Sequence, residues 1–389
     1  MRPKGGGRAG GGSALRARGG LRRLLAVARK EVLQLRRDRR SMTLAFLLPL
    51  LLLLLFGYAI SWDVRDVPTA VWDADRTPQS RALLDAFWAS GYFDEVARVD
   101  DATAARAALD RGEASVVLVL PRGFARDLAF GETATVQALV DGSDANTATI
   151  VLAYSRAIVL GYGARVRLEG GRPPLPLTVQ SRVWYNEELR SRNMIVPGLV
   201  AVIMMIIAAM LTSLTLSREW ERGTMEQLAS TPVTRAEVVL GKLLPYLAIG
   251  MVDVAATSTV GVLLFGVPFR GSVALLAVLS FLFLLGASGI GIFVSAGSKS
   301  QLLATQVAMI VSYLPSLLLS GFMFAISSMP APLRAITYLI PARYFLVVTR
   351  GIFLKGVGME VLRGEAALMA LFAAAGVTLA VVRFKKELE

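Results

Sequence analysis

The sequence has 389 residues, 54% of them hydrophobic and only 18% charged, with a formal net charge of +13 at pH 7. Soluble domains carry about 25% charged residues, whereas the apolar surplus here falls in long uninterrupted runs that are typical of membrane-spanning helices. The chain contains no Cys and no His, which excludes disulfides, thiolate zinc sites, Cys or His nucleophiles and histidine pH switches.

Most of the positive charge lies at the N-terminus. Residues 2–40 contain thirteen Lys and Arg and two acidic residues, and the first apolar run follows directly. Residues 62–192 instead contain fifteen Arg, no Lys and eighteen acidic residues. A basic flank beside a span predicts a cytoplasmic N-terminus. The alternatives are a nucleic-acid-binding arm and a signal peptide, but both the flank and the apolar run are longer than a signal normally has.

The basic N-terminal region has two parts. Residues 1–20 are rich in Gly and Arg and poor in apolar side chains, so we expect disorder there. In residues 21–41, Leu, Ala and Val recur at helical spacing between Lys and Arg. This pattern predicts an amphipathic helix on the anionic cytoplasmic leaflet, with membrane lipids as its partner. A solvated basic linker is the alternative.

Six apolar runs are long enough to cross a hydrocarbon core of about 30 Å. They are residues 42–60, 194–216, 238–265, 273–296, 302–325 and 366–382. An even number of spans places both termini on one side, and the basic residues after the last span favour the cytoplasm. Residues 326–364 combine prolines with apolar stretches and predict a re-entrant segment. A seventh span is the alternative, and it would put the C-terminus outside.

Residues 62–192 separate the first span, 42–61, from the five spans in 193–389. Strands are predicted at 67–72, 116–120 and 135–140, and helices at 79–89, 102–109 and 144–168. The predicted fold is therefore a membrane all-α bundle of six transmembrane helices with an inserted extracytoplasmic α/β domain.

Motifs for nucleotide binding and hydrolysis are missing from the sequence. Gly289-Ile290-Gly291 lies inside an apolar span, where glycines usually serve helix packing, and Gly297-Ser298-Lys299-Ser300 has Ile292 where a P-loop needs glycine. Serine has no histidine partner for nucleophilic catalysis. We therefore predict no catalytic residue, cofactor site or metal site in this chain.

A charged segment, 217–231, follows the second span. Arg218 with Glu221 and Glu219 with Arg222 stand three residues apart, which predicts ion pairs along a short helix. Such a helix beside the membrane either docks a soluble partner or simply connects two spans, and its composition leaves both interpretations open.

Asp253 is the second polar feature. It stands about sixteen residues into the third span, roughly 24 Å along the helix axis. A carboxylate at that depth is costly and usually faces the bundle interior or a water cavity. It could line a substrate path, carry a proton, or pack as a protonated group hydrogen-bonded to Thr257 or Ser258. An intramembrane hydrolase would need a second acid or a Ser/Lys dyad. The predicted spans contain no second acidic residue that could pair with Asp253.

A series of short motifs runs along nearly the whole chain. They are Lys30-Glu31, Arg37-Asp38, Phe56-Gly57-Tyr58-Ala59, Asp144-Ala145-Asn146-Thr147-Ala148, Trp184-Tyr185-Asn186, Asn193-Met194-Ile195-Val196-Pro197-Gly198, Arg218-Glu219-Trp220-Glu221-Arg222-Gly223-Thr224-Met225-Glu226, Thr231-Pro232-Val233, Gly241-Lys242, Leu314-Pro315-Ser316, Leu319-Ser320-Gly321-Phe322 and Ile340-Pro341-Ala342-Arg343-Tyr344-Phe345. In this order they resemble the permease subunits of ABC exporters of the second type, in the multidrug-efflux branch with a large extracytoplasmic insertion. The Gly/Arg-rich tail of residues 1–20 departs from that pattern.

The resemblance implies a transport subunit of the bacterial inner membrane that exports drugs or other apolar or amphipathic molecules by alternating access. It implies a homodimer or paired heterodimer and a periplasmic adaptor on the inserted domain. We expect no nucleic-acid partner, because a basic flank beside a membrane span is the common arrangement. ATP and Mg²⁺ would be bound by a separate ABC ATPase subunit, which contacts the N-terminal helix and a coupling helix after the second span. Carried over, the coupling residues are Glu219, Trp220, Glu221, Arg222, Gly223, Thr224, Met225 and Glu226. The alternative function is a membrane-anchored sensor built on the α/β domain.

Overall fold

The computed structural model describes residues 11–59, 66–143, 145–169, 185–186 and 190–384. The chain divides into a helical unit, Met1–Ser61 with Val183–Glu389, and a second unit, Trp62–Arg182. The elements in chain order are α1 (Gly11–Arg37), α2 (Arg39–Ala59), β1 (Val67–Asp73), α3 (Pro78–Trp88), β2 (Phe93–Arg98), α4 (Ala102–Asp110), β3 (Val116–Leu120), α5 (Phe124–Phe130), β4 (Gln137–Val140), α6 (Ala145–Glu169), α7 (Ser191–Glu221), α8 (Met225–Ala229), α9 (Arg235–Leu263), α10 (Val273–Gly297), α11 (Gln301–Leu318), α12 (Ala331–Thr337), α13 (Pro341–Arg350) and α14 (Met359–Arg383).

Helix α1 begins earlier than the sequence predicts. The composition of residues 1–20 predicts disorder, yet the helix begins at Gly11. The run Ala14-Leu15-Arg16-Ala17-Arg18 consists of strong helix formers, which offset the poor helix propensity of the glycines on either side. Residues 1–10 lie outside the described residues. Asp38 alone separates α1 from α2, so the amphipathic helix leads almost directly into the first apolar helix.

Seven helices in the described part of the chain are long and apolar enough to cross a membrane, namely α2, α6, α7, α9, α10, α11 and α14. Six of them belong to the helical unit, and each overlaps a span predicted from the sequence. The seventh, α6, belongs to the second unit, where Val151, Tyr154 and Ile158 pack on the core beside the sheet. Helix α11 ends at Leu318, before the predicted residue 325, and Gly321 just beyond it adopts a φ of +86°.

The segment between α11 and α14 contains a bent pair of helices. Helix α12 meets the helical stretch Pro341–Lys355 at an angle of 77°, and the last turn of that stretch, Gly351–Lys355, is π-helical. Such a bend fits a re-entrant segment or a broken span, so the re-entrant assignment of 326–364 stays a prediction.

Helix α7 forms the centre of the helical unit. Every residue from Ile195 to Ala209 is buried, because α2, α9, α10, α11 and α13 all pack around it. Helices α10 and α14 approach closely through glycine. A Cβ atom on Gly289 would lie 2.6 Å from the carbonyl carbon of Gly376, so the glycines of this apolar helix serve packing.

The second unit is built on a four-stranded sheet of order β2-β1-β3-β4. Strand β1 runs parallel to both β2 and β3, with Val71 opposite Leu118, and β4 pairs antiparallel with β3. Helices cover both faces. Phe87 of α3 and Val151 of α6 pack on one face, while Ala105 and Ala108 of α4 pack on the other. Burial on both faces explains the continuous apolar run of β3.

Candidate functional site: a buried ionic network

Helix α1 lies with one face against α9. Val27, Glu31 and Leu35 recur every four residues on that face and are all buried, as expected for the inward side of an amphipathic helix. Gly241 of α9 permits the close approach. A Cβ atom there would lie 2.8 Å from Cβ of Val27 and 2.9 Å from the carbonyl oxygen of Leu24.

Lys242 stands at the centre of a buried ionic network. Its Nζ donates to Glu31 Oε2 at 2.8 Å, to Glu219 Oε1 at 3.1 Å and to the carbonyl oxygen of Thr215 at 3.5 Å. The other oxygen of Glu31 accepts a hydrogen bond from Tyr246 Oη at 2.9 Å. An ammonium group has three donors, so Lys242 is fully satisfied although it is buried.

Glu219 joins the last turn of α7 to this network. Its Oε1 also accepts from Lys30 Nζ at 2.7 Å, and its Oε2 accepts from the hydroxyl of Thr224. Gly223, which precedes Thr224 in the chain, has a φ of +68°, a conformation that glycine adopts without strain. The turn after α7 therefore folds back onto Glu219.

Two further ion pairs flank the network. Arg218 Nη2 lies 3.4 Å from Asp38 Oδ2, and Arg23 Nη2 lies 2.7 Å from Glu237 Oε1. The hydrogen bond to Glu237 raises the pKa of the Arg23 guanidinium above its usual value. These pairs add two more bridges from α1 and its end to α7 and α9.

The ionic network, defined as Lys30, Glu31, Glu219, Thr224, Lys242 and Tyr246, contains two carboxylates and two ammonium groups. Its charges therefore balance, which is what burial of ionic groups requires. Within the described residues, no cluster of acidic side chains is arranged to hold a metal ion. The network holds α1, α7 and α9 together, and breaking one of its bonds alone is costly because it leaves a buried charged group without a partner. We therefore interpret it as a site that transmits movement between these helices.

The structure pairs the charged residues of segment 217–231 differently from the sequence-based prediction. Spacing predicts ion pairs within the helix, but Glu219 bonds to Lys30, Lys242 and Thr224, and Arg218 lies against Asp38. The partners from α1, from α9 and from Asp38 meet Glu219 and Arg218 in a buried setting, where an ion pair is stronger than on an exposed helix face.

The remaining predicted coupling residues divide into buried and exposed positions. Trp220 lies beneath Lys299, whose Nζ is 5.5 Å from the ring centroid, and Met225 is buried. Arg222 and Gly223 are exposed, as is Glu226 in the first turn of α8.

Glu221 is exposed but engaged within the chain. Its carboxylate accepts from the backbone nitrogen of Gln301 at 2.6 Å and from the Gln301 side-chain amide. Because Gln301 is the first residue of α11, Glu221 satisfies a free donor at that helix N-terminus. A substitution at Glu221 would therefore disturb α11 as well as any docking face.

Asp253 is buried in α9, 2% exposed. Its Oδ2 has no hydrogen-bond partner among the described residues. The expected bond to Thr257 is not formed, because the Thr257 hydroxyl donates to the backbone carbonyls of Asp253 and Val254 at 2.7 and 3.2 Å. Ser258 Oγ is likewise unpartnered in the described part of the chain. Asp253 lies far along α9 from Lys242 and is not part of the network.

Sequence reasoning missed the roles of Lys30, Glu31, Lys242 and Tyr246. The motifs Lys30-Glu31 and Gly241-Lys242 were visible, and a lysine close to the start of an apolar helix, next to a glycine, was the available signal. Spacing along the chain could not show that Glu31 and Lys242 meet.

Comparison with known proteins identifies the family of this architecture. Residues 39–382 match the family model described as ABC-2 family transporter protein. This range runs from the first residue of α2 to the last turn of α14 and includes the whole of the chain between them.

Several curated relatives are similar over most of the chain. The probable multidrug ABC transporter permease YbhS of Escherichia coli strain K12 is 40% identical over 337 residues, which cover 86% of this chain and 89% of that protein. The probable multidrug ABC transporter permease YbhR of the same strain is 30% identical over 339 residues, covering 87% and 92%. The ABC transporter G family member 20 of Dictyostelium discoideum is 22% identical over 342 residues, covering 86% of this chain and 47% of that protein.

Proposed function

The chain belongs to the ABC-2 family of transporter proteins, and we propose that this ABC transporter permease exports drugs or other apolar or amphipathic molecules from the cytoplasm or inner membrane. Family membership implies pairing with a separate ATPase subunit. That subunit would bind ATP and Mg²⁺ and energise alternating access between two permease subunits, either identical or paired. The names of the YbhS and YbhR relatives, which both include multidrug transport, support the substrate class.

We propose six membrane spans, α2, α7, α9, α10, α11 and α14, with both termini in the cytoplasm of a bacterium. Helix α6 is apolar enough to span, but its apolar residues pack on the second unit's core. We therefore assign it to an extracytoplasmic α/β domain, the site for a periplasmic adaptor. The basic segment before α2 supports this orientation.

We propose that the ionic network transmits movement from the ATPase to the membrane spans. The turn of Gly223 and Thr224 leads into α8, and Thr224 is bonded to Glu219. Glu219 in turn is bonded to Lys30 of α1 and Lys242 of α9. A push from the ATPase on α8 would therefore reach two spans and the N-terminal helix together, because breaking any of these bonds would leave the buried carboxylate of Glu219 with fewer partners.

Asp253 is the proposed contact for cationic substrates on the transport path. Its carboxyl is buried and Oδ2 has no donor among the described residues, so a cation or a proton is the natural complement.

Co-purification tests the assignment. The tagged full-length chain is extracted in detergent from its host, and any ATP-binding protein retained with it is detected by photolabelling with an azido-ATP. Glu226→Lys reverses an exposed charge in the first turn of α8, and Glu360→Lys makes the same change in the first turn of α14.

We expect an ATPase with wild type and Glu360→Lys and loss of it with Glu226→Lys. Equal recovery in all three would remove α8 as the docking element. Absence of an ATPase from every preparation would overturn the exporter assignment and favour the membrane sensor.

A further inference from the structure

A wide groove lies between α1 and the end of α7, on the side of α1 that faces away from α9. Its volume is about 1030 Å³. It is lined by residues of α1 together with Asp38, Arg218 and Arg222.

The groove is strongly basic. Six of its residues are Lys or Arg and one is acidic. Lys30 is paired with Glu219, and Arg218 lies against Asp38. The other four cations, Arg22, Arg29, Arg37 and Arg222, form no ion pair among the described residues and leave the groove with an unneutralised charge. Such a surface attracts an anion.

The groove also contains exposed apolar side chains. Leu25 is 52% exposed and Leu33 is 46% exposed. Both stand on the same face of α1 as Arg22, Arg29 and Arg37, at helical spacing. An occupant that complements this face has an anionic group beside hydrocarbon.

The position of the groove matches the depth of lipid headgroups. Arg37 and Asp38 stand shortly before Met42, where the first candidate span begins, and Arg218 and Arg222 stand at the end of α7, another candidate span. The basic side chains therefore lie where two membrane helices reach the surface. Basic pockets at this level bind anionic lipid headgroups.

We propose that this groove binds an anionic phospholipid, with its phosphate between the arginines of α1 and Arg222 and its acyl chains along Leu25 and Leu33. A docked protein segment would satisfy the charge but would have to reach below the headgroups and cover two leucines. The proposal does not depend on the transported substrate. Because Arg222 is also one of the predicted coupling residues, the lipid would lie beside the proposed ATPase docking helix.

The test uses the full-length chain in detergent, with lipid binding measured by native mass spectrometry. The probes are phosphatidylglycerol, zwitterionic phosphatidylcholine with the same acyl chains, and free glycerol phosphate. The test variant is Arg29→Gln with Arg37→Gln. The matched control is Arg36→Gln, which removes an exposed arginine of the same helix that does not line the groove. A thermal melt of each variant shows that it is folded.

We expect phosphatidylglycerol to bind wild type and Arg36→Gln alike and the double variant about thirtyfold more weakly, since each arginine near the surface contributes about a factor of five. Phosphatidylcholine should bind all forms weakly. Displacement of phosphatidylglycerol by equimolar glycerol phosphate would show a site for free phosphate and overturn the lipid assignment. Unchanged phosphatidylglycerol binding in the double variant, with loss of the co-purifying ATPase, would show instead that the groove docks protein.

Discussion

Lys242 Nζ lies 2.8 Å from Glu31 Oε2, and this bond joins the amphipathic α1 to α9 inside the protein. Both residues are 1% exposed. The pair is complete only because Glu219 and Tyr246 supply the remaining partners. An N-terminal helix that composition describes as a surface element is thus fastened to the core of the helical unit.

Removal of Lys242, the central residue of the ionic network, should lower the stability of the folded protein. Lys242→Met leaves Glu31 and Glu219 buried with fewer donors, and loss of one partner of a buried ion pair costs about 3–5 kcal/mol. We expect a large drop in the thermal unfolding temperature of the detergent-purified protein. Lys299→Met removes an exposed lysine and should change it little. Equal, small shifts for both variants would show that the network contributes nothing to stability.

The glycine at the α1–α9 contact should not tolerate a methyl group. Gly241→Ala places a Cβ atom 2.9 Å from a backbone oxygen, which cannot move aside as a side chain can, and overpacking costs about 1–3 kcal/mol. Gly364→Ala within α14 meets nothing within 4 Å and should be neutral or slightly stabilising, because alanine favours helix. Thermal melts of both variants decide the point, and similar melting of the two would contradict the close approach.

Asp75 should make the second unit sensitive to acid. Burial alone would raise the pKa of Asp75, but hydrogen bonds from Thr77 and from the backbone nitrogens of Ala125 and Gly123 outweigh it and hold the pKa below its usual value. The stabilisation is therefore present above the unfolded pKa of about 3.9 and is lost as pH falls through the lower folded value.

Limited proteolysis of the full chain between pH 6 and pH 2.5 measures this effect. We expect Asp75→Asn to be cleaved faster within 66–143 at pH 6 and to lose less protection than wild type on acidification. Asp100→Asn is the control, because that carboxylate is 86% exposed and, within the described residues, forms an ion pair only with Arg76 on the surface. Identical acid profiles for wild type and Asp75→Asn would contradict the assignment.

Asp253→Asn should reduce export of cationic substrates several-fold more than export of neutral ones of similar size. The amide keeps the shape of the side chain but cannot complement a cation. Transport in inverted vesicles, with protein amount and thermal stability matched to wild type, measures both classes. Equal loss for the two substrate classes would indicate a packing role.

The apolar helices and much of the α/β unit could be predicted from the sequence, because run length and periodicity are local properties. Strand β3 is a continuous apolar run, and β1 contains the shorter apolar run Ala70-Val71-Trp72. Strand β2 was missed, since the edge segment Phe93–Arg98 carries three charged residues and reads as a loop. The seven-residue α5 was also missed, because it is too short to show a helical period.

The position of the candidate site could be predicted from the sequence, but the pairing of its charged residues could not. The motif from Arg218 to Glu226 marks the correct end of α7, yet local spacing paired Glu219 with Arg222. The actual partners of Glu219 come from α1 and α9. Burial decides this choice, and burial depends on which helices pack together, which no local pattern contains.

The wide separation of Glu31 and Lys242 in the chain also sets an order of assembly. The two residues stand 211 positions apart, and a ribosome adding about 5–20 residues per second needs on the order of 10–40 s to travel between them. During that interval α1 and α2 already exist, while Glu31 has neither Lys242 nor Tyr246 to bind. Helix α1 can therefore reach its final position only after α9 has been synthesised and inserted, so α1, which is made before the other described helices, is among the last of them to be fixed in place.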